Sequence, residues 1–439
     1  MIAPLELAER ALHHTDGDAL VRVVAERSLS SRFARSAPTQ ATAVDDLDVE
    51  VLVVREGQVG LATTNRIDED GLRDAARRAA RAADLARAAG PGAHPGLPDP
   101  AEAVGAKEVA DPPELDPALA GGAIQAAIAE AGEHGAEAFG IWSAGVVTHA
   151  VASSAGARLS ERATDGYMKV ICRDARERSG FAAATTSAPG SLDGAALARA
   201  ATAKLIPGEP VALEPGAYTA VLDADAVGDL LQFAGLIAFN GLLHAEGRGA
   251  LVDRLGTGVA SSVITLSDAP GDARTLPRAF DAEGVAKRTR PLIRAGVAQQ
   301  VVHDSRSAAL AGGGAVSTGH ALSPGGGADG PEPTNLILEP GNARDVTELC
   351  APIERGIYVT RLWYTNTVRE HEALVTSMTR DGTFLIEDGQ ITRPAADVRI
   401  TDSLLRILSA TEDLGAEGRL IGHGEFYGRR FAHGVHCPP

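Results

Sequence analysis

The stretch DLLQFAGLIAFNG (229–241) is apolar apart from its opening Asp229 and two interior polar residues, Gln232 and Asn240. Asp223 and Asp225 lie just ahead of it. An apolar run of this length behind an acidic start reads as a buried helix, because carboxylates favour the positive end of the helix dipole. AYTAVLDA (217–224) has strand character and leads directly into it. A lone Gln on an apolar helix satisfies a backbone group or lies at an edge. Its amide is a poor zinc ligand, lacking the charge of a thiolate and the basicity of an imidazole.

Working upstream, AKLIPGEPVALEPG (203–216) carries enough Pro and Gly to separate two units. The expected division is residues 1–208 and residues 209–439. The first unit reads as α+β. A helix is expected over about 3–13, then strand-period segments over 19–35 and 39–65 with turns at Asp45-Asp46 and Glu56-Gly57. Asp68 caps a long helix to about 88, with Leu72, Ala76, Ala79, Ala83 and Ala86 on one side. Residues 89–116 form an exposed Pro- and Gly-rich connection. A second helix (117–133) and a second strand set (about 137–186) follow.

Downstream the second unit is strand-rich. GTFLIEDGQI (382–391) reads as a hairpin turning at Asp388-Gly389. Residues 311–333 carry two glycine triplets and read as a mobile or tightly turned loop. No repeat of 20–50 residues is visible.

Bulk properties narrow the function. The net charge of −17 repels phosphate backbones, so nucleic-acid binding is not expected. The arginine stripe Arg73, Arg77, Arg81 is interleaved with Asp74 and Asp84 and reads as a solvated helix face. No run approaches the ~18 apolar residues of a membrane span, and the N-terminus lacks the pattern of a signal peptide. Three scattered cysteines, Cys172, Cys350 and Cys437, fit a reducing cytoplasm.

Catalytic motifs are scarce. The glycine triplets lack the lysine of a phosphate loop, and GxSxG is absent. His303-Asp304-Ser305 reads as a strand-to-turn surface segment. In REHEA (369–373), alternation would place Glu370 and Glu372 on one strand face and His371 on the other. GHGEFYGRRFAHGVHCPP (422–439) concentrates His423, Glu425, His433, His436 and Cys437, and His423, His433, His436 and Cys437 are the candidate metal set, although the spacing matches no familiar zinc pattern.

Several segments in order resemble the TldD/PmbA family: VREGQVGLATTN (54–65) followed by the Arg/Ala-rich helix, LGTGVASSVITLSDAP (255–270), FDAEGVAKRTRPLIRAGV (280–297), STGHA (317–321), PTNLILEPG (333–341), IERGIYVT (353–360) and SMTRDGTFLIEDGQI (377–391). The resemblance implies an α+β fold of two domains, the second strand-rich and carrying the metallopeptidase helix. In TldD members that helix bears His-Glu-x-x-x-His, and a cysteine near the C-terminus completes the zinc site. Counting back from Val259-Ala260-Ser261, the histidine positions fall on Gln232 and Ile237 and the glutamate on Phe233. The family cysteine aligns near Gly422–Gly428, where none is present. The pattern is similar to TldE (PmbA-type) members. It implies a non-catalytic cytoplasmic subunit, itself without cofactor, paired with a zinc-bearing TldD-type subunit that cleaves unfolded or precursor peptides. The alternatives are a stand-alone metal-dependent hydrolase using the C-terminal His/Cys set, and a non-enzymatic regulatory binding protein.

Overall fold

A computed structural model describes residues 2–90, 92–100, 115–422, 430 and 434–439. The N-terminal part runs α1 (Pro4–Leu12), β1 (Asp18–Ala34), β2 (Ala37–Arg55), β3 (Gln58–Thr64), α2 (Glu69–Ala88), α3 (Pro117–Glu133), β4 (Ala136–Ser153), β5 (Arg158–Asp174), β6 (Ser179–Thr186) and α4 (Gly194–Thr202). Its strands form one antiparallel sheet in the order β3-β2-β1-β4-β5-β6. Helix–three strands–helix therefore occurs twice, and the two copies meet at the β1–β4 seam. The duplication spans whole half-domains, which is why a search for short repeats does not find it.

One sheet face is apolar. Ala19, Val21, Val23, Ala150 and Ala152 pack with Leu7, Leu72 and Ala79 of α1 and α2. The alternate residues Arg22, Glu26, Ser28, Ser143, His149, Glu161 and Asp165 are polar yet buried. The C-terminal part covers them. Asp68 caps α2 as expected, accepting from the Gly71 amide at 2.7 Å. The expected turn at Asp45-Asp46 is not one: both lie inside β2. The chain reverses instead at Arg35-Ser36, both with positive φ. Residues 37–46 are solvated on both faces, so acidic side chains there carry no burial penalty.

The C-terminal part begins with β7 (Thr219–Leu222), α5 (Ala224–Ile237), α6 (Gly241–Ala245), β8 (Leu266–Asp268), β9 (Arg290–Arg294), β10 (Val297–Ala298), α7 (Ser305–Ala311) and β11 (Asn335–Leu338). It continues with α8 (Val346–Cys350), β12 (Arg355–Val359), β13 (Leu362–Arg369), β14 (Leu374–Thr379), β15 (Thr383–Glu387), β16 (Gln390–Pro394), β17 (Arg399–Ser403), α9 (Leu404–Ser409), β18 (Arg419–Ile421) and β19 (Gly434–Cys437). Three sheets result, ordered β10-β9-β8-β11-β19-β18, β16-β15-β12-β7 and β13-β14-β17. The β15–β16 hairpin turns at Asp388-Gly389, both with positive φ, as the sequence indicates.

Two local expectations fail. Glu370–Glu372 forms a short 3-10 turn rather than a strand, though it stays largely exposed. His303-Asp304-Ser305 is buried, not superficial: Asp304 caps α7 through the Ser307 amide at 2.7 Å. A capping box read as Asp-x-x-Ser explains the segment without invoking catalysis. The loop 311–333 is exposed at its first glycine triplet but packed from Thr318 to Gly327, with His320 enclosed and Ala328 and Asp329 exposed.

Candidate functional site

The acidic start of α5 is an anchor. Asp223 caps the helix through the Ala224 amide at 2.8 Å and also accepts from Lys204 Nζ, Tyr358 Oη and Arg419 Nη2 at 3.1, 2.9 and 3.0 Å. Asp225 holds the same Arg419 and Asp229 holds Thr365. Beyond that first turn the helix is core: Leu230, Leu231, Ala234, Ile237 and Phe239 pack with Leu266, Leu292, Leu336 and Val435.

The three positions of the expected zinc helix diverge in the fold. Ile237 is 3% exposed and belongs to that core. Phe233 is partly buried against it. Gln232 instead lines a small cavity of about 10 Å³ with Glu332, Pro333, Thr334, Leu336, Ile421, Gly434 and Val435. Gly228 and Gly235 let the helix approach this wall: a Cβ on Gly228 would lie 2.8 Å from Ile421 Cγ2, and one on Gly235 3.1 Å from Pro333 Cγ. Burial raises the Glu332 carboxyl to about 7, against the pull of Lys287. An amide, a benzyl ring and a buried sec-butyl group do not fit zinc, which needs thiolate, imidazole or carboxylate donors converging on one point.

The remaining metal candidates do not join them. Cys437 is fully buried and its thiol donates to the Ala224 carbonyl at 3.3 Å, at the start of α5. Burial pushes that thiol well above its usual range. His436 is its strand neighbour, only partly buried, and packs on Gly418. His423 and His433 lie outside the described residues. Among the described residues, no three His, Cys, Asp or Glu side chains are grouped to hold a metal.

Thr334 also lines a second cavity, of about 20 Å³, between the N-terminal sheet and residues 278–287. Arg22, His149, Arg278, Asp281, Lys287 and His320 surround it. Asp281 organises the turn, accepting from the Glu283 and Val285 amides at 3.0 and 2.9 Å and from the Ala321 amide at 2.9 Å. Glu283 accepts from the Ser305 amide at 3.0 Å and hydroxyl at 2.6 Å, and its other carboxyl oxygen has no partner among the described residues. Burial and the adjacent Asp281 raise the Glu283 carboxyl well above the usual carboxylate range. Arg278 Nε meets Glu161 at 2.7 Å, tying the two halves together. Lys287 Nζ lies 3.3 Å from the Gly319 carbonyl and 3.7 Å from Asp268, which His320 Nε2 meets at 3.0 Å. Asp281, Glu283, Lys287 and His320 lie in FDAEGVAKRT and STGHA, segments that resemble the family without assigning chemistry. Their signal is three charges at 281, 283 and 287 astride a turn glycine, a pattern a surface loop would share.

Residues 215–438 match the family model for the PmbA/TldA metallopeptidase C-terminal domain, and residues 19–83 match that for PmbA/TldA metallopeptidase domain 1. Over 214 residues the chain is 26% identical to a metalloprotease of Methanothermobacter thermautotrophicus, covering 47% of this chain and 44% of that relative. The match thus spans less than half of the relative's length. The fold is similar to TldE from Thermococcus kodakarensis, with a TM-score of 0.85 and 20% identity over 99% of this chain and 98% of that one. It is also similar to a putative modulator of a DNA gyrase from Thermotoga maritima MSB8, with a TM-score of 0.79 and 18% identity over 96% and 94% of the two chains. The C-terminal domain match alone covers more than half of the sequence, and on that ground the chain belongs to the PmbA/TldD metallopeptidase family.

Proposed function

We propose that this chain is the non-catalytic, TldE-like subunit of a cytoplasmic two-subunit metallopeptidase. In this reading a TldD-type partner carries the zinc, and the pair cleaves unfolded or precursor peptides. One observation carries it: the positions aligned with the zinc helix hold Gln232, Phe233 and Ile237, and Ile237 is built into the hydrophobic core. Water activation by zinc needs three protein ligands and an open position, with a carboxylate to take the proton. None of the three side chains ionises or offers a strong donor.

A subunit of this kind contributes wall rather than chemistry. No helix of the described residues is long and apolar enough to cross a membrane. The acidic balance of the chain weighs against a nucleic-acid target. The test is reconstitution: the isolated chain leaves an unfolded peptide intact, and a cognate metal-bearing partner brings cleavage. Chelator-sensitive hydrolysis by the isolated chain would favour a stand-alone hydrolase instead.

A further inference from the structure

Arg430 lies outside the machinery described so far, yet it is only 3% exposed. Its side chain enters the polar face of the N-terminal sheet. Nε and Nη2 donate to the two Asp165 carboxyl oxygens at 2.6 and 2.7 Å, a planar two-pronged pairing. Nη1 donates to Ser143 Oγ at 2.7 Å, and the Arg430 backbone amide donates to Glu26 Oε2 at 2.9 Å. Ser28 Oγ holds the other Glu26 oxygen at 2.6 Å.

Strand register builds the receptacle. Ser28, Gly145 and Asp165 stand opposite one another in a single row across β1, β4 and β5. The middle of that row has no side chain. A Cβ on Gly145 would lie 2.5 Å from Arg430 Cδ and 2.6 Å from Nε. The gap is therefore the slot through which the guanidinium passes, with Asp165 on one side and Ser28 on the other.

We propose that Ser143, Gly145 and Asp165 form a guanidinium-binding pocket beside Glu26, which holds the Arg430 backbone amide, and that Arg430 is the plug which fills it. Four residues after Arg430 the chain enters β19, whose Gly434 and Val435 wall the Gln232 cavity. The plug is thus a positioning residue for that wall. A planar fork matches a carboxylate in two places at once, which an ammonium cannot do. Emptying the pocket leaves the buried Asp165 carboxylate without this cation, and breaking a buried pair is costly.

The test uses the full chain carrying R430A, with melting temperature and amide exchange at Gly434–Cys437 as readouts. R430A should lower the melting temperature by roughly 5 °C or more and speed exchange in β19. Millimolar ethylguanidinium, far below denaturing concentrations, should recover at least half of the loss, and ethylammonium should recover none. R430K should remain close to R430A. Should R430A not fold, R430S, whose short side chain also leaves the slot open, takes the same rescue. Unchanged melting in R430A, rescue by ethylammonium equal to that by ethylguanidinium, wild-type behaviour of R430K, or no rise with ethylguanidinium in whichever variant folds would each overturn the proposal.

Discussion

The thiol of Cys437 donates to the carbonyl of Ala224, the first residue of α5, at 3.3 Å. With a rise of about 1.5 Å per residue, Gln232 lies roughly 12 Å further along the helix and Ile237 about 20 Å. The C-terminal cysteine of this chain therefore meets the wrong end of α5 to share a metal with either position. Its burial makes it a packing thiol.

Gln232→His should create no tight zinc site. One imidazole beside Phe233 and Ile237 leaves at least two ligands missing. Zinc titration of the purified variant against a competing chelator checks this. Stoichiometric uptake at submicromolar free zinc would mean that the alignment of α5 with the zinc helix is out of register.

Ile237→Ala should behave as a core truncation and cost about 3 kcal/mol, because its side chain is enclosed by the main C-terminal cluster. Urea unfolding measures it. A cost within about 0.5 kcal/mol, typical of surface positions, would contradict the burial of this site.

Asn240 joins α5, α6 and the glycine-rich loop. Its Oδ1 accepts from the Leu242 and Leu243 amides at 2.9 and 3.3 Å, while Nδ2 donates to the Leu236 and Asp329 carbonyls at 3.1 and 2.6 Å. Asn240→Asp keeps the acceptor and loses the donor. It should therefore cost nearly as much as Asn240→Ala, about 1–2 kcal/mol, since the Leu236 and Asp329 carbonyls lose their donor. An Asp variant as stable as wild type would show that the capping oxygen alone matters.

Glu283 predicts a pH dependence. Its folded carboxyl titrates above its unfolded value, so the folded state holds a proton that the unfolded chain has released. The stability it contributes is present below about pH 4.5 and is lost as pH rises toward its raised folded value. Glu283→Gln keeps an acceptor for Ser305 and removes the titration. The variant should lose less stability between pH 5 and pH 8 than the wild type in urea melts at the two values. Parallel losses would place the titrating group elsewhere.

Legibility in the sequence followed the locality of the cause. Asp68 ahead of an Arg/Ala-rich helix and Asp388-Gly389 between two apolar strands are local signals, and both elements formed where expected. Asp45-Asp46 carries a turn signal yet lies inside β2, because an acidic pair marks a turn only when the strand around it is not already solvated. His303-Asp304-Ser305 has surface composition yet is buried, because the burial of a cap depends on what the distant chain lays over it. The polar alternation Arg22, Glu26, Ser28 gave the strand correctly but could not reveal that its polar face is covered. Of the candidate site, Gln232, Phe233 and Ile237 were readable through resemblance. Glu332 and the cluster around Lys287 were not, because they converge only through tertiary contacts.

The central claim is that this chain cannot activate water at α5 and acts through a metal-bearing partner. The most direct measurement is hydrolysis of a fluorogenic unfolded peptide by the isolated, zinc-supplemented chain, with and without a TldD-type partner. The account predicts background rates for the chain alone and chelator-sensitive cleavage on reconstitution, with the partner's own rate raised. Turnover by the chain alone that a chelator abolishes and zinc restores would contradict it.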